Sequence, residues 1–314
     1  MKEPLVILAG PTAVGKTKLS IALAKAVGGE IISADSMQVY KHMDIGSAKI
    51  RPEEMQGVLH HLVDVLEPWE EFHVVRFQQM AGEAMRQIRS RGRIPILVGG
   101  TGFYIQAIVG NVDFTENEAG PYRQELERLA AEEGAHALHE RLRRVDEASA
   151  DAIHENNVKR VIRALEFYRL TGRKISEHNE EQRRRESPYN CAYFVLNDER
   201  AKLYARIEQR VDEMMEAGLL EEVRRLKAMG CRRGMVSMQG LGYKELLACL
   251  DGEYGLEEAV ELLKRDTRRF AKRQLTWFRR ERDVIWLEKG VYGYDEENIL
   301  AAMLDRLREK EIIE

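Results

Sequence analysis

Cysteine is scarce: the 314 residues hold three, Cys191, Cys231 and Cys249, an odd and scattered set without a C-x-x-C pair. That excludes a disulfide framework and leaves a zinc site nothing to build on, so the three are read as packing residues. Long apolar runs are missing as well. No stretch approaches the ~18 residues of a membrane span, and the apolar run at 5–10 is too short for a signal peptide. There is no internal repeat, no low-complexity stretch and no long apolar heptad. These absences predict a soluble, monomeric protein of a reducing compartment, the cytoplasm, with no membrane partner. What is present is enough apolar sequence, 44%, for a sizeable core. The length suggests about two domains.

The chain also lacks an overall positive charge. The net value of −4 argues weakly against a nucleic-acid partner, but the total conceals a split. Residues 283–314 carry nine acidic and four basic side chains, whereas 262–282 carry nine basic against two acidic. Fields act over about 8 Å at physiological salt, so the basic segment counts for more than the sum.

Hydrophobic patterning predicts strands at 5–8, 30–34, 61–66 and 94–98, alternating with helices at 17–27 and 72–91. That alternation argues for a parallel sheet with helices on both faces. Residues 113–188 show helical stretches only, at 122–131, 136–145 and 158–170 among them. Strand character returns at 191–196, and Asp198 is the expected N-cap of a helix over 200–217. A helical region to about 282, a strand at 284–287 and a terminal helix from 296 follow. The expected fold is therefore α/β, a P-loop NTPase-like parallel sheet covered on both faces. Its core spans 1–112 and 189–314 and is interrupted by an all-helical insertion over 113–188.

One motif carries clear chemistry. Gly10-Pro11-Thr12-Ala13-Val14-Gly15-Lys16-Thr17 matches G-x-x-x-x-G-K-[ST] between a strand and a helix, the context a phosphate loop requires. Loop N–H groups, the helix N-terminus and Lys16 would cradle a di- or triphosphate, with the Thr17 hydroxyl placed to hold Mg²⁺. A nucleotide-hydrolysing or kinase site normally adds a strand-end carboxylate for the metal. The 94–98 strand ends instead in Gly99-Gly100-Thr101-Gly102. The carboxylate near the loop is Asp35, after the 30–34 strand. Spacing alone leaves it open as metal ligand, general base or helix cap. His60 and His61 are adjacent on a strand and face opposite ways, so they cannot chelate one ion. Arg183-Arg184-Arg185 is either a solvated helix end or an RNA-proximal patch.

These residues, taken in order, resemble the tRNA dimethylallyltransferases (tRNA isopentenyltransferases) of the shorter bacterial type. The resemblance rests on the phosphate loop, Ser33-Ala34-Asp35-Ser36-Met37-Gln38-Val39-Tyr40, His60-His61-Leu62-Val63-Asp64 and Gly99-Gly100-Thr101-Gly102. It continues in Val158-Lys159-Arg160-Val161-Ile162-Arg163, in Gln239-Gly240-Leu241-Gly242-Tyr243-Lys244-Glu245, and in the run from Thr267 to Phe278. Ser47 and Phe103 depart from the pattern, standing where Thr and Leu are expected. The resemblance implies transfer of a dimethylallyl group from dimethylallyl diphosphate to N6 of the adenosine 3′ to the anticodon, in tRNAs reading codons that begin with U. It implies Asp35 as general base, Lys16 and the phosphate loop on the leaving diphosphate, and Thr101 as a hydroxyl donor or, alternatively, a helix cap. It also implies Mg²⁺ on Thr17. Contacts to the anticodon stem-loop would come from Asp35, Ser36, Met37 and Gln38; from Lys159, Arg160, Val161, Ile162 and Arg163 in the insertion; and from Gln239, Gly240, Gly242 and Lys244. Arginines of 262–282 would grip the phosphate backbone, with Phe270, Trp277 and Phe278 mostly in the core. The alternatives are a prenyltransferase acting on free adenine nucleotides, a small-molecule kinase, and a nucleotide-switched RNA-binding protein without chemistry.

Overall fold

The computed structural model describes residues 2–112 and 120–314, apart from the side chains of Arg183 and Arg184. The arginine run expected at a helix end therefore lies largely outside the described residues. The chain divides into two compact units, 1–111 with 188–314, and 112–187.

The first unit is built on six strands: β1 (Glu3–Ala9), β2 (Gly29–Ser33), β3 (His60–His61), β4 (Ile94–Gly99), β5 (Tyr189–Asn197) and β6 (Val284–Glu288). All pair in parallel in the order β3-β2-β4-β1-β5-β6. Central β1 explains why its sequence is apolar without alternation: Leu5, Val6, Ile7, Leu8 and Ala9 are all fully buried, as a strand covered on both faces must be. Alternate residues serve opposite faces. Leu5, Ile7 and Ala9 enter one core with Ile32, Leu97, Phe77 and Phe278, while Val6 and Leu8 enter the other with Ile31, Ile96, Leu19 and Leu23.

Helices supply the facing layers. α1 (Lys16–Val27) covers one face, and α2 (Val74–Ser90) and α3 (Gly102–Val109) the other. In the second unit, α4 (Pro121–Glu132), α5 (Gly134–Val145), α6 (Glu147–Ala152), α7 (Val158–Thr171) and α8 (Ile175–Arg184) close around a separate core of Leu126, Leu138, Leu142, Val161 and Leu165. Back in the first unit come α9 (Arg200–Glu216), α10 (Leu219–Ala228), α11 (Tyr243–Leu250), α12 (Leu256–Phe278) and α13 (Glu296–Glu309). No helix among the described residues is long and apolar enough to cross a membrane.

Two sequence expectations need correction. The strand expected over 61–66 shrinks to His60–His61, because Leu62 and Asp64 both adopt positive φ, near 62° and 61°, which ends extended pairing. His61 Nε2 lies 2.8 Å from Glu30 Oε2 and His60 Nδ1 2.9 Å from the Val58 carbonyl, so the pair indeed splits between two sets of partners. Asp198 is not the cap of α9. Glu199 takes that position, while the buried Asp198 carboxylate accepts from the Glu199 N–H at 2.7 Å and from Arg206.

Candidate active site

β1 runs straight into the phosphate loop, and Gly15, at φ 101°, turns the chain into α1. That backbone value favours a residue without Cβ. Lys16 curls back so that its ammonium donates to the carbonyls of Gly10 and Pro11 at 2.9 and 2.8 Å. Burial pulls it down from the ordinary lysine value to about 7, against the opposing influence of Asp35 and with a further push from Arg210. Arg210 on α9 is itself held below its usual value, chiefly by burial, and forms no ion pair among the described residues. Lys289, from the short 3₁₀ turn after β6, reaches the Val14 carbonyl at 3.5 Å and is likewise lowered by burial. Three cations thus gather around one loop, an arrangement whose repulsion a bound anion would relieve.

Asp35 follows the C-terminal end of β2, close enough to Lys16 for each to feel the other's charge. Its Oδ1 accepts from the N–H groups of Met37 at 2.8 Å and Gln38 at 3.4 Å. Burial, the strongest influence, raises its carboxyl above the ordinary aspartate value despite those bonds and Lys16. The carboxylate is thus oriented locally while remaining basic. Thr101 stands at the cap position of α3, but its side chain makes no capping bond; its N–H donates to the Ala34 carbonyl at 3.3 Å. The hydroxyl is left for another partner, and the two loops at the ends of β2 and β4 are tied together.

The 35–38 and 239–244 stretches also meet. Met37 packs over Gly240 and the Tyr243 ring against Gly46. Gln38, however, does not present a free amide. Its Oε1 accepts from Ser33 Oγ at 3.2 Å and its Nε2 donates to the Ser47 and Ala48 carbonyls at 3.4 and 3.2 Å. It staples the 47–48 loop. Lys244 is engaged too, 3.3 Å from Glu245 Oε1 and 3.9 Å from Asp266 Oδ2. In the second unit, Lys159, Arg160 and Arg163 are exposed on one face of α7, as three- and four-residue spacing requires. Val161 and Ile162 are not RNA-facing: the same periodicity turns their side chains into the unit's core, 0% and 3% exposed.

The basic stretch of α12 divides in two. Lys264 pairs with Asp212 and Arg268 with Glu208, both at 2.6 Å, and Arg265 and Arg269 lean on Asp266. Lys272, Arg273, Arg279, Arg280 and Arg282 are exposed and form no ion pair among the described residues. Phe278 is fully buried and Trp277 packs on the core, as expected. Phe270 lies 5.7 Å from the Arg273 guanidinium.

Four residues of this region escaped the sequence reading. Arg210 and Lys289 carry no motif. Glu222 on α10 is buried, and its carboxylate accepts from the N–H groups of Asp44, Ile45 and Gly46 and from the Tyr243 hydroxyl, at 2.9, 2.8, 3.1 and 2.7 Å. Gln274 did leave a signal: it is a polar side chain in register with Ala271 and Phe278 on the buried face of α12.

Comparison with known proteins adds the family. A family model described as IPP transferase matches residues 38–281, and one described as isopentenyl transferase matches 4–64. The tRNA dimethylallyltransferase of Lachnoclostridium phytofermentans is 64% identical over 99% of both chains, and that of Carboxydothermus hydrogenoformans 50% identical over 92% of this chain and 93% of its own. Among solved structures, a tRNA isopentenylpyrophosphate transferase from Bacillus halodurans aligns with a TM-score of 0.75 at 47% identity, over 99% of this chain and 98% of that one. A eukaryotic dimethylallyltransferase acting on tRNA aligns at 0.79 and 31% identity, over 91% and 74%. Matched along nearly its whole length, the chain belongs to the IPP transferase family, the tRNA dimethylallyltransferases.

Proposed function

We propose that this tRNA dimethylallyltransferase takes its five-carbon group from dimethylallyl diphosphate and places it on N6 of the adenosine 3′ to the anticodon, in tRNAs reading codons that begin with U. The observation that carries the reading is the confrontation of Asp35 with Lys16: a basic carboxylate held beside a diphosphate cradle. In the transfer, the N6–C1 bond forms as the C1–O bond to diphosphate breaks, and the N6 proton passes to Asp35. An exocyclic adenine amine has its lone pair delocalised into the ring, so a carboxylate accepting that proton lowers the barrier directly. Charge grows on the departing diphosphate, where the loop N–H groups, Lys16 and Arg210 are placed to meet it. The unspent Thr101 hydroxyl would donate near the reacting centre.

Mg²⁺ fits what the chain offers. Thr17 exposes its side chain at the first turn of α1, and no cluster of three His, Cys, Asp or Glu residues among the described residues forms a protein cage. An ion that keeps several waters and takes diphosphate oxygens needs no more than such a hydroxyl. When bound, it would offset charge on the leaving group.

The acceptor base must leave its stack to reach Asp35, at a cost of a few kcal/mol that an unpaired loop keeps small. Phosphate contacts would come from Lys272, Arg273, Arg279, Arg280 and Arg282, and separately from Lys159, Arg160 and Arg163. Incubation with labelled dimethylallyl diphosphate, Mg²⁺ and either unmodified tRNA or AMP tests the reading. Label is expected in tRNA. Label in AMP alone would move the protein to the free-nucleotide branch, and ATP turnover without label would overturn the reading.

A further inference from the structure

Gln274 sits inside α12 with 6% of its surface exposed, and its one amide serves two loops. Oε1 accepts from the Thr12 N–H in the phosphate loop, and Nε2 donates to the Gly100 carbonyl in the turn before Thr101, each at 2.9 Å. The turn closes tightly on it: a Cβ on residue 100 would lie 2.1 Å from Nε2, which only glycine avoids. Through Thr101, whose N–H reaches the Ala34 carbonyl, the bracing extends to the residue before Asp35. From these contacts we propose that Gln274 is a positioning residue of the transfer reaction, holding the diphosphate loop in register with the turn that carries Thr101. The inference rests on the function proposed above, because it concerns the placement of donor against base.

The chemistry of the side chain is specific. One bond needs an acceptor and the other a donor, which a neutral amide supplies and a carboxylate does not. An ionised glutamate would still accept from Thr12 but would set a second anion against the Gly100 carbonyl. A protonated one would restore the donor. The same turn of α12 exposes Lys272 and Arg273, so the segment that would hold RNA outside braces the donor loop inside.

The test is Gln274→Glu, which preserves volume, assayed for dimethylallyl transfer across pH alongside Gln274→Leu. At neutral pH, kcat for Gln274→Glu is expected to fall about tenfold or more, since small misplacements of reacting groups cost up to ~10²-fold. The KM for dimethylallyl diphosphate should rise, while tRNA affinity stays within a few-fold. Relative to the wild type, Gln274→Glu should recover as pH falls and its carboxyl protonates; Gln274→Leu should not. A folded Gln274→Glu protein with wild-type kcat and KM, or a loss without relative recovery at low pH, would overturn the proposal. If Gln274→Glu fails to fold, amide exchange in the wild type decides. The Thr12 N–H should be protected like those of β1, and exchange at the rate of an open loop would overturn it. Wild-type protein that fails to label tRNA would refute the proposed function instead, a distinguishable outcome.

Discussion

Asp35 combines two properties that rarely coexist. Two backbone N–H groups fix its orientation, which ordinarily lowers a carboxyl pKa, yet burial outweighs them and Lys16 together. The result is a carboxylate basic enough to take a proton and too constrained to wander. Asp35→Asn keeps the acceptor for Met37 and loses the base. Transfer is expected to drop by about 10²- to 10⁴-fold, the usual worth of general-base catalysis, with tRNA affinity in a filter-binding assay nearly unchanged. The pH profile follows by sign. The base works deprotonated and its pKa is raised, so kcat/KM for the wild type should fall, as pH is lowered, through a limb lying above the ordinary aspartate value of about 3.9. The residual rate of Asp35→Asn should lack that limb. Equal limbs in both proteins would assign the proton to another group.

At the scale of elements, α12 shows why charge counted along a sequence misleads. Nine basic residues lie within 262–282, but Lys264 and Arg268 are committed to Asp212 and Glu208 on α9. They hold helix to helix, and their removal should leave tRNA binding largely intact. Replacing Lys272 and Arg273 together by alanine should instead flatten the salt dependence of tRNA binding by roughly 1–2 in the log–log slope, at about 0.7–0.9 per phosphate released. A slope unchanged in that variant but lowered in Lys264→Ala/Arg268→Ala would reverse the assignment. The 44–46 loop offers a second case. Glu222 satisfies three successive N–H groups and the Tyr243 hydroxyl, so Glu222→Ala leaves four buried donors without partners. A loss of at least about 3 kcal/mol in urea unfolding is expected, at 1–3 kcal/mol per orphaned group. Local pattern made β1, α1, β4 and the phosphate loop legible in the sequence, because their periodicity and loop chemistry are contained in a few consecutive residues. It could not show Glu222, Arg210 or Gln274 acting on loops some 170 to 260 residues away, nor that Gln38 spends its amide on Ser47 and Ala48. Those facts exist only after the parallel sheet has gathered its strand ends. The 61–66 strand failed for a related reason: apolar content predicted extension, and two positive-φ residues ended it.

For the whole molecule, the decisive fact is that the two units own separate cores. Leu126, Leu138, Leu142 and Val161 pack among residues of 112–187, whereas the sheet of the first unit is sealed by its own helices. A unit with its own core can unfold on its own account. Leu142→Ala, at a site with no exposed surface, should cost the second unit about 2–5 kcal/mol and separate its thermal transition from that of the first. Inorganic diphosphate binds the native first unit in the proposed reading, so at 100 times its Kd it should stabilise that unit by about 2.7 kcal/mol. Calorimetry of the Leu142→Ala protein with and without diphosphate and Mg²⁺ would then show the upper transition moving and the lower one standing still. If both transitions moved together, the cores would be energetically coupled despite their separate packing. If neither moved, the cradle around Lys16 would not be the diphosphate site, since a ligand stabilises only what it binds.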